Sequence, residues 1–278
     1  MISCRNVCVE YRLDETNILS ALRNVSFDVN ESEFVAVIGP NGSGKSTLAL
    51  CLSGLLQPTS GEIFIDNSPI EVPLLGIDSR AIHTIVGIVF QNPDDQIIAS
   101  SVEREIAFAL ENRGIPREEM KCRVNDIINR FSLDNMRERQ PDCLSGGQKQ
   151  KLAIASVLVS NPKFLILDEP TSFLDDSDRR MLIQLLNSEF QKPARTGFTV
   201  LLITQFSREA ARCGRVVVMN RGEIIADGTP EYVFIERQEE LLSIGVEVPV
   251  EYRIKKVYPG FDCTMDGYSF FSRNKTVQ

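Results

Sequence analysis

The sequence predicts an α/β fold built on a largely parallel sheet, and three observations predict it. Short, β-rich apolar runs recur between stretches of helical periodicity. One run, FVAVIG at 34–39, opens directly into the glycine-rich string GPNGSGKST at 39–47. Another, FLILDEP at 164–170, ends on two adjacent carboxylates. The expected plan is this core preceded by an antiparallel β subdomain, interrupted by a helical subdomain over about 91–160, and followed by a small C-terminal extension. Residues 1–234 form the main domain and 235–278 the extension.

Taken in order, ISCRNVCVEYR and ALRNVSFDVN alternate apolar with polar residues, as antiparallel strands with one wet face do. FVAVI reads as a buried strand and STLALCLSGLL as the helix that follows the loop. Three helical stretches come next: SVEREIAFALENRG, REEMKCRVNDIINRFSL and GGQKQKLAIASVLVS. FLILD, FTVLLIT (198–204) and RVVVMN (215–220) return to the sheet. Between them, DDSDRRMLIQLLNSEF places Met181, Leu182, Leu185, Leu186 and Phe190 on one helical face, with acidic residues at the end the helix dipole favours. After GTPEYVF (228–234) the pattern weakens. Eight of the chain's twenty aromatics lie from Tyr232 onward, in a stretch too short for an independent core, so it is expected to pack on the body or on a partner.

Composition narrows the function classes. A chain of 278 residues buries one substantial core or two modest ones. Its net charge of −8 and pI of about 5.0 argue against a protein whose main task is holding nucleic acid. The seven cysteines are scattered and form no C-x-x-C pair, and His83 is the only histidine, which weighs against zinc and for reduced cytosolic thiols. No apolar run approaches the ~18–20 residues that span a bilayer, and the start lacks a signal-peptide pattern. Any membrane work is therefore expected to go through a partner.

GPNGSGKST fits G-x-x-x-x-G-K-[ST] in the strand–loop–helix context that the motif requires. Gly39, Asn41, Gly42, Ser43, Gly44, Lys45, Ser46 and Thr47 are the phosphate-binding candidates. Gly42 and Gly44 let the backbone turn its N–H groups inward, Lys45 reaches the β- and γ-phosphates, and Ser46 is expected to hold Mg2+. Asp168 is placed to fix the same ion, and Glu169 is the candidate general base for an attacking water. LSGGQ at 144–148 begins a helix: Ser145 is an N-cap, and Gly146 and Gly147 allow close backbone approach to an anion.

Together these strings resemble the ABC ATPase family of P-loop NTPases, over most of residues 1–234. The resemblance implies ATP and Mg2+ as cofactors, Gln91 as the Q-loop glutamine beside the metal, and Tyr11 as the aromatic that stacks on adenine. It makes Ser145, Gly146, Gly147 and Gln148 signature residues that seal an ATP held by a second ABC ATPase subunit, with Asp175 of SFLD (172–175) reaching across that dimer. Closure then drives a membrane partner. FQNPDDQI (90–97) is similar, more narrowly, to the energy-coupling factor transporter ATPases, which power vitamin and transition-metal uptake. In that group Gln96 belongs to an element near the transmembrane coupling subunit, and the ATPases often carry a dimerising C-terminal extension. The implied partners are a second ATPase, the coupling subunit and a substrate-binding membrane subunit, at the cytoplasmic face of the membrane, with no nucleic acid.

One position departs from the family pattern. FTVLLIT runs into Gln205 where most ABC ATPases have a histidine that contacts the γ-phosphate. Glutamine hydrogen-bonds but has no proton that titrates near neutrality. Glu169, Gln91 and Gln205 are thus the catalytic candidates, in a site expected to bind ATP well and turn it over slowly, which favours a dimer of unlike subunits over a homodimer. Three alternatives stay open: a regulatory ATP-gated clamp, a soluble ABC ATPase acting on DNA or ribosomes, and a P-loop kinase. The second lacks the usual coiled-coil insert or internal repeat, and the third leaves LSGGQ without a task.

Overall fold

A computed structural model of the chain describes residues 1–12, 14, 17–66, 68–69, 82, 84–192 and 197–258. His83 and the stretch after Tyr258 lie outside them. Two sheets organise the described residues. The first is antiparallel, in the order β2 (Ile18–Val29), β1 (Ile2–Arg12), β4 (Ser60–Ile65), β5 (Ser68–Pro69). The second has the order β10 (Glu223–Gly228), β9 (Arg215–Asn220), β3 (Phe34–Ile38), β8 (Thr199–Ile203), β7 (Phe164–Asp168), β6 (Val86–Val89). All its pairs are parallel except the β9–β10 hairpin.

The central strands divide their side chains between two cores, as a period of two requires. From β3, β7 and β8, Phe34, Ala36, Ile38, Leu165, Leu167, Val200 and Leu202 enter one cluster, and Val35, Val37, Phe164, Ile166, Leu201 and Ile203 enter the other. This explains why these strands read as unbroken apolar runs: both faces are covered. The second cluster also takes α1 (Lys45–Leu52) and the inward faces of β1, β2 and β4. The first takes the helical insertion, α2 (Val102–Glu111), α3 (Arg117–Arg130) and α4 (Gly146–Leu158), together with α5 (Asp176–Phe190).

One sequence expectation changes in detail. On α5 the buried face is Leu182, Ile183, Leu186 and Phe190, whereas Met181 is 49% exposed. Ile183 replaces it because, at about 100° per residue, Met181 falls opposite Phe190 and Ile183 falls beside it; Phe190 packs edge-on against Phe34, ring centroids 5.3 Å apart. The described residues that follow β10 pack on the body, one of the two outcomes expected. Val233 and Phe234, in a π-helical turn at Tyr232–Glu236, join the first core with Leu241 of α7 (Gln238–Ser243), Val246, Val248 and Tyr252 of α8 (Val250–Val257). Among the described residues, no helix is long and apolar enough to cross a membrane.

Candidate active site

The C-terminal ends of β3, β7 and β8 meet at one edge of the second sheet, where open α/β sheets hold ligands. β3 runs into the loop 39–44, whose last residue, Gly44, sits at φ +102 just before α1. A Cβ at Gly44 would lie 2.5 Å from the Ala21 carbonyl oxygen, so both backbone angle and space demand glycine. Gly39 is held by the neighbouring strand in the same way, its imagined Cβ 2.1 Å from Met219 O. The loop is therefore braced by β2 and β9 and is set before any ligand arrives.

Lys45 is buried, and its Nζ donates to the carbonyl oxygens of Gly39 (2.8 Å) and Pro40 (3.0 Å). Burial lowers its pKa, and the charges of Glu169 and Asp168 oppose that shift. Asp168 shows the converse: burial raises its pKa, a hydrogen bond from Ser46 lowers it, and Glu169 raises it further. Asp168 Oδ1 is buried with no hydrogen-bond partner. An orphaned carboxylate oxygen beside a serine hydroxyl is the hard-oxygen donor set that suits Mg2+. Ser46 and Asp168 are the residues whose contacts fit it, and Gln91 lines the cleft with Ser46.

Glu169 stands in the left-handed region at φ +46, an uncommon position for a side chain of that size. Its N–H donates to Ile203 O at 2.9 Å, which pins the turn to β8. The carboxylate oxygen Oε2 accepts from Gln91 Nε2 (3.2 Å) and from Ser172 Oγ (2.7 Å), and Gln205 Nε2 donates to Ser172 Oγ at 3.4 Å. Ser172 is the member of this cluster that sequence reasoning missed; its signal is its place three residues after Glu169. Gln91, Glu169 and Gln205 line a single cleft of about 470 Å³ together with Asn41–Thr47. Tyr11 lines it too, its hydroxyl 3.5 Å from Thr47 Oγ1, as do Leu19, Ser20 and Ala21 of β2, which were not anticipated.

The second glycine-rich string lies elsewhere. Ser145, Gly146, Gly147 and Gln148 do not line that cleft. Ser145 caps α4 in a reciprocal box: its Oγ accepts from Gln148 N–H (3.3 Å), and its own N–H donates to Gln148 Oε1 (3.0 Å). The glycines divide their roles. Gly146 is exposed, and a Cβ on it would make only an ordinary contact with Phe173 O at 3.9 Å, whereas a Cβ on Gly147 would meet the Asp178 carboxylate at 2.4 Å. Gly147 is thus crowded by a side chain of α5 in its own chain, which a methyl there would have to displace. Asp175 caps α5, its carboxylate accepting from Asp178 N–H at 2.8 Å, and lies outside the cleft. Gln96 joins strand to helix: Oε1 accepts from Phe90 N–H (3.2 Å) and Nε2 donates to Ala153 O of α4 (3.3 Å).

Known proteins resemble this chain in sequence and in fold. A family model described as ABC transporter matches residues 22–172. The chain is 41% identical over 250 residues to the energy-coupling factor transporter ATP-binding protein EcfA of Enterococcus faecium, covering 89% of this chain and 86% of that protein. It is 42% identical over 252 residues to EcfA1 of Oceanobacillus iheyensis, covering 90% and 85%. Among solved structures, cbiO1 from Clostridium perfringens, described as part of the ABC transporter complex cbiONQ, superposes with a TM-score of 0.74 at 32% identity over 92% of this chain and 98% of that one. A dimeric ATP-binding cassette in a post-hydrolysis state, bound to ADP and Pi, also gives 0.74, at 30% identity over 82% and 98%.

Proposed function

This chain belongs to the ABC transporter family, in its energy-coupling factor ATP-binding group, and from that membership we propose that it hydrolyses ATP to energise a membrane importer of vitamins or metal ions. The ATP lies on residues 39–47 and is sealed by Ser145–Gln148 of a second ATPase subunit. Closure of the pair acts on a transmembrane coupling subunit, which works with a substrate-binding membrane subunit, and the chain sits peripherally at the cytoplasmic face. One observation carries the reading. Lys45, Gln91, Glu169 and Gln205 surround a single cleft, while the capped helix start at Ser145 and Gly146 is exposed outside it.

The residues then have defined tasks. Lys45 exchanges the carbonyls of Gly39 and Pro40 for phosphate oxygens, a charge-assisted contact stronger than the one it gives up. Ser46, Asp168 and Gln91 would hold Mg2+, which would supply charge neutralisation for the phosphates. Glu169, oriented by Gln91 and Ser172, takes the proton of the attacking water. Tyr11 stacks on the base, and Asp175 reaches toward the partner. Gln205 donates to a phosphate oxygen but transfers no proton, so this chain's own site is slow and its partner in the dimer is an unlike subunit.

Three measurements on the assembled complex test this. Gln205→His is expected to raise steady-state hydrolysis; an unchanged or lower rate counts against the slow-site reading. Glu169→Gln is expected to keep ATP binding and stabilise a closed dimer, and rapid dissociation in ATP would contradict it. Crosslinks that place Ser145 in open solvent in the loaded assembly would end the sealed-dimer reading.

A further inference from the structure

Behind the cleft, Glu209 is only 5% exposed and sits on the single turn of helix α6 (Ser207–Ala210). Both of its oxygens are committed. Oε1 accepts from Thr171 Oγ1 at 2.8 Å and Oε2 from Thr204 Oγ1 at 2.7 Å. The Thr204 hydroxyl accepts in turn from Phe206 N–H at 3.0 Å. Each threonine immediately precedes a residue of the cluster around Glu169: Thr171 precedes Ser172, and Thr204 precedes Gln205. One carboxylate therefore spans two loops that leave different strands, β7 and β8.

Arg179 of α5 adds a third strap. Its guanidinium lies 3.7 Å from Glu209 Oε1 and stacks 3.9 Å from the centroid of the Phe206 ring, and its Nη2 donates to Leu174 O at 3.2 Å. Burial pushes the Glu209 pKa up, and the Thr204 and Thr171 hydroxyls pull it back. A buried carboxylate is an expensive way to join two loops. What it supplies over an apolar contact is direction, through two short charge-assisted hydrogen bonds.

We infer that Glu209 is a positioning residue for ATP hydrolysis: through Thr171 and Thr204 it fixes Ser172 and Gln205 about Glu169, so that the loops after β7 and β8 move as one unit. This rests on the hydrolytic reading above. Thr171→Val and Thr204→Val each remove one hydroxyl at nearly constant volume, and Glu209→Gln removes the charge with the shape kept. In the assembled transporter each is expected to lower single-turnover hydrolysis about ten-fold, the weight of one buried charged hydrogen bond. ATP affinity should stay within about two-fold of wild type, because the effect is confined to the transition state. The pair Glu209→Gln/Thr204→Val should be no slower than its slower member, since both break one unit.

A merely structural role would make affinity, melting temperature and rate fall together, or make the losses multiply, and either result overturns the inference. Unchanged hydrolysis in the three single variants overturns it while leaving the hydrolytic reading in place. A wild-type assembly that binds ATP and never cleaves it removes both. If Glu209→Gln does not fold, the two threonine variants carry the test.

Discussion

The helices that begin at Lys45 and at Gly146 both follow glycine-rich strings, but their glycines answer to different neighbours. Before α1, Gly44 is fixed by a left-handed backbone and by the Ala21 carbonyl 2.5 Å from where a Cβ would sit. Before α4, neither glycine has a positive φ; Gly147 is crowded by the Asp178 side chain and Gly146 by nothing. The first string is completed inside its own chain, down to a lysine already bonded to the loop's carbonyls. The second satisfies its own helix end through Ser145 and Gln148 and leaves Gly146 turned outward. Pre-organisation at one end and spare surface at the other is the arrangement expected of a site that two molecules share.

Lys45→Ala tests the completed half and carries the largest expected effect. On the proposed reading the buried ammonium of Lys45 holds the phosphates, and removing one partner of a buried charged contact costs about 3 kcal/mol, or on the order of a hundred-fold in ATP affinity. Titration calorimetry of the isolated chain measures this directly. A loss below three-fold would mean that the backbone amides of 42–47 carry the phosphates alone.

Gly147→Ala comes next and probes the packing half of the signature string. The added methyl must displace the Asp178 carboxylate, and overpacking of this kind costs about 1 kcal/mol after the helix-propensity gain of alanine is counted. Thermal melting reads the loss, and combining it with Asp178→Ala is expected to restore stability. If the double variant stays as unstable as the single one, the glycine is held by something other than α5.

A third expectation concerns Glu169, the strained point of the completed half. Its left-handed backbone at φ +46 costs an L-residue about 1 kcal/mol, and the negative charge of Asp168 is adjacent. Asparagine tolerates that conformation and is neutral. Glu169→Asn should therefore raise the unfolding free energy by about 1 kcal/mol while abolishing hydrolysis. A variant that is less stable than wild type would show that the bonds from Gln91 and Ser172 outweigh the strain.

Much of this was legible in the chain because it rests on local rules. The apolar runs of β3, β7 and β8 announce strands covered on both faces, and the loop 39–47 carries its geometry in its own residues. What was illegible depends on contacts distant in sequence. Nothing near Thr204 indicates that it shares a carboxylate with Thr171, 33 positions away. Met181 is a misreading of a local rule instead: at about 100° per residue it lies opposite Phe190 on α5, whereas Ile183 lies beside it and is covered. The double glycine reads as an anion site from its string alone, and the share that belongs to Asp178 is visible only once α5 is laid beside α4.

Gly146→Ala has the smallest expected effect on the chain and separates the two halves most cleanly. The methyl makes only an ordinary contact, with Phe173 O at 3.9 Å, on an exposed helix start, so alanine should gain about 0.5 kcal/mol from its better helix propensity. ATP affinity of the isolated chain should not change, because Gly146 does not line the cleft. If a partner's phosphate is its guest, the same methyl blocks approach of the backbone, and ATP-dependent dimerisation measured by light scattering should weaken with Glu169→Gln as background. A chain stabilised alone and impaired only in pairs is the signature of a residue kept for another molecule. A fall in monomer stability would instead place Gly146 in the service of its own fold, alongside Gly147.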